Sequence, residues 1–254
     1  MTITAIASGK GGTGKTLVAV SLAHALAHLG ERVLLCDADF GLANAGVHLG
    51  VSQCGDLKGV LDGTKALKDA VVRVESGRAG FDLLAAPSGV LATTGEAAVE
   101  RLLAALEHAG HYDRVIVDLG AGVDANVMTL AARADEVLLV VTPDPASLTD
   151  AYAFAKILLR RTTSRVPYVL VNMAMNATEG RRIAEALLAS ARAFLRATPE
   201  FLGFIPLDPR VSDAVRRQRP LLTQFPQTPA ATALEGIARK LHGQPAPVAA
   251  AGLR

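Results

Sequence analysis

Short apolar runs alternate with helical stretches along this chain of 254 residues. The runs are ITAIAS (Ile3 to Ser8), RVLLCD (Arg32 to Asp37), FDLLAAP (Phe81 to Pro87), DRVIVD (Asp113 to Asp118), EVLLVVTP (Glu136 to Pro143), VPYVLVN (Val166 to Asn172) and FLGFIP (Phe201 to Pro206). Most lack the polar-every-second-residue pattern of a strand with one wet face. They predict strands buried on both sides, which is the habit of a parallel sheet. Between them, apolar residues recur at helical spacing in KTLVAVSLAHALAHLG (Lys15 to Gly30), EAAVERLLAALEHAG (Glu96 to Gly110), Ser147 to Arg161 and Glu179 to Ala197. The first two end at glycine, a common helix stop.

The alternation predicts an α/β fold: a single domain with a mostly parallel, twisted sheet and helices on both faces. No Gly-, Ser- or Pro-rich linker divides the chain, so one domain is expected over residues 1–242. The last stretch, GQPAPVAAAGLR at 243–254, has nothing to bury and is expected to be disordered.

Composition narrows the function. Half the residues are hydrophobic and a fifth are charged, while aromatics are 4% and Trp is absent, which argues against a base-stacking surface for single strands. The two cysteines, Cys36 and Cys54, form no disulfide framework and no zinc spacing. No basic segment followed by a long apolar stretch opens the chain, and the expected location is cytoplasmic. Charge is unevenly spread: residues 1–150 hold 11 Lys and Arg against 18 Asp and Glu, and residues 151–254 hold 15 against 6. The basic portion suits an acidic surface, lipid or DNA, or is a plain solvated face.

The candidate chemistry sits just after the first strand. Gly9, four residues, then Gly14, Lys15 and Thr16 fit G-x-x-x-x-G-K-[ST] between a strand and a helix. Gly9, Gly11, Gly12 and Gly14, with Thr13, are expected to let backbone N–H groups turn inward on phosphate oxygens, and the helix N-terminus adds positive potential. Lys15 then reaches the β- and γ-phosphates, and the Thr16 hydroxyl ligates Mg²⁺. Asp118, at the end of VIVD, holds the position of a carboxylate that keeps Mg²⁺ in place. Asn172 ends another strand; its amide offers a donor and an acceptor, which suits an adenine edge, with a strand-end turn residue as the plainer alternative. His24 and His28 lie four apart on a helix without a third ligand and read as packing or surface residues.

Lys10 is not needed by a generic phosphate loop. The whole string KGGTGKT resembles the deviant Walker A motif of the MinD/ParA family of ATPases. The likeness runs through LLCDADFGLANAGVHLGV (Leu34 to Val51) and VIVDLGAG (Val115 to Gly122), the two switch regions, and so covers nearly the whole chain. Thr142 to Lys156, Val171 to Ala174 and Gly203 to Leu221 are most similar to the flagellar MinD-like group, FlhG/FleN.

The resemblance implies ATP hydrolysis to ADP with Mg²⁺, slow alone and stimulated by partners. It implies that Lys10 reaches a partner subunit's nucleotide, that Asp39 positions the attacking water and that Asp37 supports the magnesium side. It implies that Ile205, Pro206, Leu207 and Asp208 give backbone contacts to adenine. It further implies an ATP-bound homodimer engaging flagellar proteins: an FlhF-type GTPase, the switch complex or a transcription regulator. Leu234, Ile237, Ala238 and Leu241 share one side of a helix at 231–243, which fits either a peripheral place at the inner membrane face or, the slightly favoured reading, a last helix packed on the sheet. A ParA-type DNA-partitioning ATPase is the alternative, with DNA ranked behind. Two departures stand out. Leu119 occupies a place where the flagellar group more often has Thr. The first expected strand starts at residue 2 or 3, where that group usually carries an N-terminal extension that stimulates FlhF.

Overall fold

The computed structural model describes residues 1–76, 79–86, 94–162 and 166–242; the segment expected as a tail lies outside them, as does Pro87. Among these residues a single eight-stranded sheet is built from β1 (Thr2–Ala7), β2 (Val33–Ala38), β3 (Val72–Ser76), β4 (Ala79–Leu84), β5 (Arg114–Leu119), β6 (Glu136–Val141), β7 (Tyr168–Ala174) and β8 (Glu200–Pro206). The order is β3-β4-β2-β5-β1-β6-β7-β8, and every pairing is parallel except β3 with β4. β1 therefore lies mid-sheet, with β5 on one side and β6 on the other. The direction in which strands are added reverses there, which opens a crevice at the carboxyl ends of the strands.

Both faces of the sheet are covered, as expected. Ile3, Ala5 and Ala7 of β1 point into one layer, shared with α3 (Leu57–Asp62), α5 (Glu96–Glu107), α6 (Ala125–Arg133), α7 (Pro145–Arg161) and α8 (Ala177–Ser190). Ile6 points into the other, shared with α1 (Lys15–His28), α2 (Ala45–Leu49), α10 (Leu221–Gln224) and α11 (Pro229–Leu241). Two short helices complete the set, α4 (Leu67–Ala70) and α9 (Pro209–Arg216).

The structure departs from expectation in two places. β3 was not anticipated, although Val72 and Val74 alternate with Arg73 and Glu75 in a half-buried strand pattern. It closes one edge antiparallel to β4, and its charged residues suit an edge. The helix expected to run from Glu179 to Ala197 widens to a π turn at Ala191–Leu195 and stops where Arg196 turns left-handed, with φ of 52°. The helix at 231–243 takes the packed alternative and spends its apolar side on the protein: Leu234, Ile237, Ala238 and Leu241 are buried against α1 and β8. It has no apolar stripe left for lipid.

A buried ion network fastens α11. Arg114 at the start of β5 donates to Glu136 (2.7 Å), Glu31 (3.0 Å), the Thr4 hydroxyl (2.8 Å) and the Leu241 carbonyl in the last turn of α11 (2.8 Å). A cation on free carbonyls at a helix C-terminus satisfies groups that have no partner within the helix. Removing the guanidinium strands two carboxylates inside. Arg114→Ala is expected to lose about 3–5 kcal/mol of stability in urea unfolding. Lys at the same position should recover only part of this, since it lacks the forked donor set.

Candidate phosphate-binding site

The carboxyl ends of β1, β2, β5 and β7 bring most of the expected residues together. After Ala7 the chain turns through Ser8 to Gly14 and enters α1 at Lys15. Three of the four expected glycines are dictated by geometry. A Cβ on Gly9 would lie 2.2 Å from the Asp150 carbonyl of α7, so the backbones approach too closely for any side chain. Gly14 is left-handed, with φ of 86°, and a Cβ there would sit 2.4 Å from the Asn172 amide nitrogen. Gly12 is left-handed as well, with φ of 76°. Gly11 departs from the expectation. It is exposed and not left-handed, and a Cβ there would meet the Ala121 side chain at 4.0 Å, an ordinary contact. Neither backbone conformation nor space within the chain requires glycine at position 11. The loop is pinned to its neighbours: Gly122 N–H donates to the Ser8 carbonyl at 3.0 Å, and the Ser8 hydroxyl donates to the Lys10 carbonyl at 2.6 Å.

Lys15 is buried, and its ammonium donates to the Ser8 hydroxyl at 3.0 Å. Burial pulls its pKa below the usual lysine value, against the opposing charges of Asp118 and Asp39. Asp37 and Asp118 are register partners on the adjoining strands β2 and β5. Burial raises Asp37 to about 6, although three N–H groups donate to it: Ala45 (2.8 Å), Asp39 (3.2 Å) and Asn44 (2.8 Å). Those bonds fold the switch segment 39–45 back over the sheet and leave Asp37 as the organiser of that loop.

Asp118 is only 1% exposed, and neither carboxylate oxygen has a hydrogen-bond partner among the described residues. Burial, then the Asp37 charge, pushes its pKa up to about 8, while the neighbouring Thr16 hydroxyl and Lys15 pull the other way. An orphaned buried carboxylate beside a half-buried Thr16 fits an Mg²⁺ ion that the protein holds by few ligands, leaving the rest to phosphate and water. Asp39 lies further out. Its carboxylate accepts from Leu42 N–H (3.0 Å) and Gly41 N–H (3.3 Å) and faces Gly120 of the second switch.

Lys10 points the other way. Its ammonium pairs with Asp144, the N-cap of α7, in the same chain, and the two side chains are 41% and 44% exposed. The hydrogen bond from Lys10 holds the Asp144 carboxyl below the usual carboxylate range.

The residues expected at the nucleotide base sit near the carboxyl ends of β7 and β8. Asn172 is buried and turned toward the phosphate loop: its amide donates to the Thr13 carbonyl at 2.8 Å, and its oxygen accepts from Met173 N–H at 2.9 Å. Ile205 is buried in the core. Leu207 N–H is taken by the Ala174 carbonyl (2.8 Å), and the Asp208 carboxylate caps α9 through Arg210 N–H (2.9 Å) and also accepts from Ala230 N–H (3.2 Å). The Leu207 side chain is exposed and Pro206 half-buried. His24 and His28 meet each other at 3.1 Å, with His24 buried in α1.

Comparison with known proteins agrees with this geometry. A family model described as "ParA: NUBPL iron-transfer P-loop NTPase" matches residues 1–242. The chain is 37% identical to the antiactivator FleN of Pseudomonas aeruginosa, over 96% of this chain and 88% of that protein. It is 34% identical to the flagellum site-determining protein YlxH of Helicobacter pylori, over 74% of this chain and 63% of that one. Among solved structures, MinD in the MinC:MinD cell division complex of Aquifex aeolicus superposes with a TM-score of 0.78 at 29% identity, covering 99% and 100% of the two chains. MinD of Pyrococcus horikoshii complexed with Mg-ADP gives 0.80 at 25% identity, covering 95% and 96%.

Two outcomes test the site. A carboxyl whose folded pKa is raised costs stability as pH climbs from its unfolded value, near 4, to its folded value, about 8 for Asp118. Without nucleotide, Asp118→Asn should therefore melt higher than the parent by a margin that grows from pH 4 to pH 8 and then levels off. Asn172→Ala frees the Thr13 carbonyl. A phosphate-loop strut predicts that affinity for ATP and for GTP falls by the same factor, about tenfold each; a base reader predicts loss of ATP binding alone. Equilibrium titration with both nucleotides decides between them.

Proposed function

The chain belongs to the ParA/MinD family of P-loop ATPases, and from that premise we propose that it is an ATP-driven dimerisation switch regulating flagellar number or placement. The protein is an ATPase that uses ATP and Mg²⁺. Its family description mentions iron transfer, but Cys36 is fully buried and burial pushes its thiol far above the usual range, so it is a poor cluster ligand.

The reading rests on what the carboxyl edge of the sheet exposes. Leu42 and Val47 of the first switch and Val123, just after the second, are exposed apolar residues, and the Lys10 side chain is half-exposed. Exposed apolar residues of this kind suit burial against a second copy. In that arrangement Lys10 would leave Asp144 and meet the partner's γ-phosphate, where a fixed cation stabilises the transferring phosphoryl group. Lys15 would hold the β- and γ-oxygens of its own nucleotide, and Thr16 and Asp118 would keep Mg²⁺, which neutralises charge developing on those oxygens. Asp39 would orient the attacking water. A triphosphate shifts such an equilibrium only by binding one state better than the other, and the γ-phosphate contact of Lys10 supplies that difference.

The flagellar assignment is supported by the likeness to FleN and YlxH. Engagement of an FlhF-type GTPase, the switch complex or a transcription regulator by the dimer belongs to this proposal, as does any peripheral membrane contact. The DNA-partitioning reading is weaker. Several arginines of the basic portion are already engaged, Arg210 and Arg216 with Asp213 and Arg239 with Glu235.

Mass in solution tests the switch. Asp39→Ala with ATP is expected to accumulate as a dimer. Lys10→Ala is expected to bind ATP yet stay monomeric and lose at least about a hundredfold in turnover, the scale on which single charge-stabilising donors act. A Lys10→Ala protein that dimerises and hydrolyses normally sinks the proposal.

A further inference from the structure

A second concave surface lies three strands along the sheet from β1, the strand that leads into the phosphate loop. β8 ends the sheet, and α8 and α11 pack on its two faces. Between them runs a cleft of about 910 Å³ along the β8 edge, from Pro206 at the top to Lys240 at the bottom. Its floor is Phe201, Phe204 and Ile237. Both phenylalanines are only half-buried on this edge strand, which leaves apolar surface facing the cleft.

Three observations give this cleft a chemistry. The wall contributed by α11 is lined by small residues about one helical turn apart, Thr232, Ala233 and Gly236, and a Cβ on Gly236 would meet nothing within 4 Å. The helix thus keeps its large apolar residues for the core and presents a shallow face to the cleft. Next, the lining holds two cations, Arg181 and Lys240, and no Asp or Glu among the described residues. Finally, the edge strand is open on one side and is held open by a removable group. The pairing of β8 with β7 slips between Val169 and Leu170, where Leu202 is the extra residue, and its carbonyl accepts from the Lys240 ammonium at 2.6 Å. Bulges and lysines are the usual means of keeping an edge from pairing indiscriminately.

We infer that this cleft takes an extended, acidic peptide segment of a partner protein, which adds as a strand to the β8 edge. Main-chain bonds to an edge give such a segment its affinity, and alternate side chains give it specificity. An incoming backbone N–H replaces the Lys240 ammonium on the Leu202 carbonyl. The released ammonium, with Arg181, then pairs with carboxylates of the peptide, so the Leu202 carbonyl and the ammonium each keep a partner. Small or β-branched side chains of the peptide fall on the two phenylalanines and into the space over Gly236. Opposite charge speeds the encounter and rejects basic segments. The inference does not rest on the dimerisation switch: the described residues lining the cleft include none from the phosphate loop or its switches, and Pro206 at its upper end is the one lining residue also expected near the adenine.

The probe is a fluorescein-labelled heptapeptide of alternating Glu and Val, titrated into the full chain at low salt and followed by anisotropy. Saturable binding is expected, unchanged by saturating ATP and Mg²⁺, with no binding of the alternating Lys and Val peptide. Gly236→Trp fills the cleft, and Arg181→Glu combined with Lys240→Glu reverses its charge; each should weaken binding at least about tenfold, or 1.4 kcal/mol. Melting temperature and ATP turnover of Gly236→Trp should match the parent, which separates blockage from misfolding. The inference is overturned by an absence of saturation up to about 1 mM peptide. It is equally overturned by undiminished binding to both variants, by full affinity for a peptide N-methylated on one edge, by displacement with ATP, by equal competition from a single-stranded oligonucleotide, or by a change of oligomeric state in Gly236→Trp.

Discussion

The register of β2 against β5 sets two carboxylates side by side inside the protein. Asp37 and Asp118 are neighbours across that pair, Asp39 follows two residues on, and Lys15 is a buried cation facing them. Like charges in a dry place cannot all stay ionised without help. Asp37 finds help in three backbone N–H groups, whereas Asp118 finds no such donor among the described residues. The resulting hunger for positive charge sits directly below a loop whose N–H groups and Lys15 favour anions. A divalent cation carrying phosphates satisfies both at once, and neither a bare anion nor a bare cation does. The site is therefore built for the pair rather than for either part.

The opposite edge of the same sheet holds a better-matched charge cluster, in which only one Glu136 oxygen lacks a hydrogen-bond partner among the described residues. There Arg114 has an acceptor for each arm, and its partners Glu31, Glu136, Thr4 and the end of α11 converge on it from four directions. Breaking that network is costly, so it locks the frame. Rigidity at the amino edge lets the carboxyl edge carry its deficit without collapsing. Close packing does the same for the loop: Gly9 against α7 and Gly14 against Asn172 leave the phosphate loop little freedom to close on its own charges.

Local pattern carried far in this chain, and its limits are physical. The parallel core was legible because strands buried on both faces need unbroken apolar runs, and each of the seven runs became a strand. The loop was legible because backbone that must turn left-handed or pass within touching distance of another segment admits only glycine. That rule covers Gly9, Gly12 and Gly14 but not Gly11, whose surroundings in a single chain leave room for a side chain. β3 was obscured by its charged alternate residues, which mark an edge as readily as a loop. The aim of a side chain is a matter of tertiary geometry. No spacing rule states that Asn172 turns to Thr13, or that Leu241 and its neighbours on α11 face α1 and not a bilayer. An amphipathic helix reads the same whichever apolar surface it covers.

Lys10 shows why a resemblance and a geometry both matter. The ion pair it makes with Asp144 is half in water, and exposed pairs of that kind contribute only about 0–1 kcal/mol. That hold suffices to park a long, mobile side chain but is too weak to resist a better anion. Charge-assisted bonds to phosphate in a water-excluded interface are stronger, so under the proposed switch exchanging Asp144 for a phosphoryl oxygen would run downhill when a second copy closed the edge. Asp144 also caps α7, whose backbone presses on Gly9. Lys10, the cap and the loop are thus joined through one carboxylate, and a cation leaving Asp144 would act next to the phosphate loop.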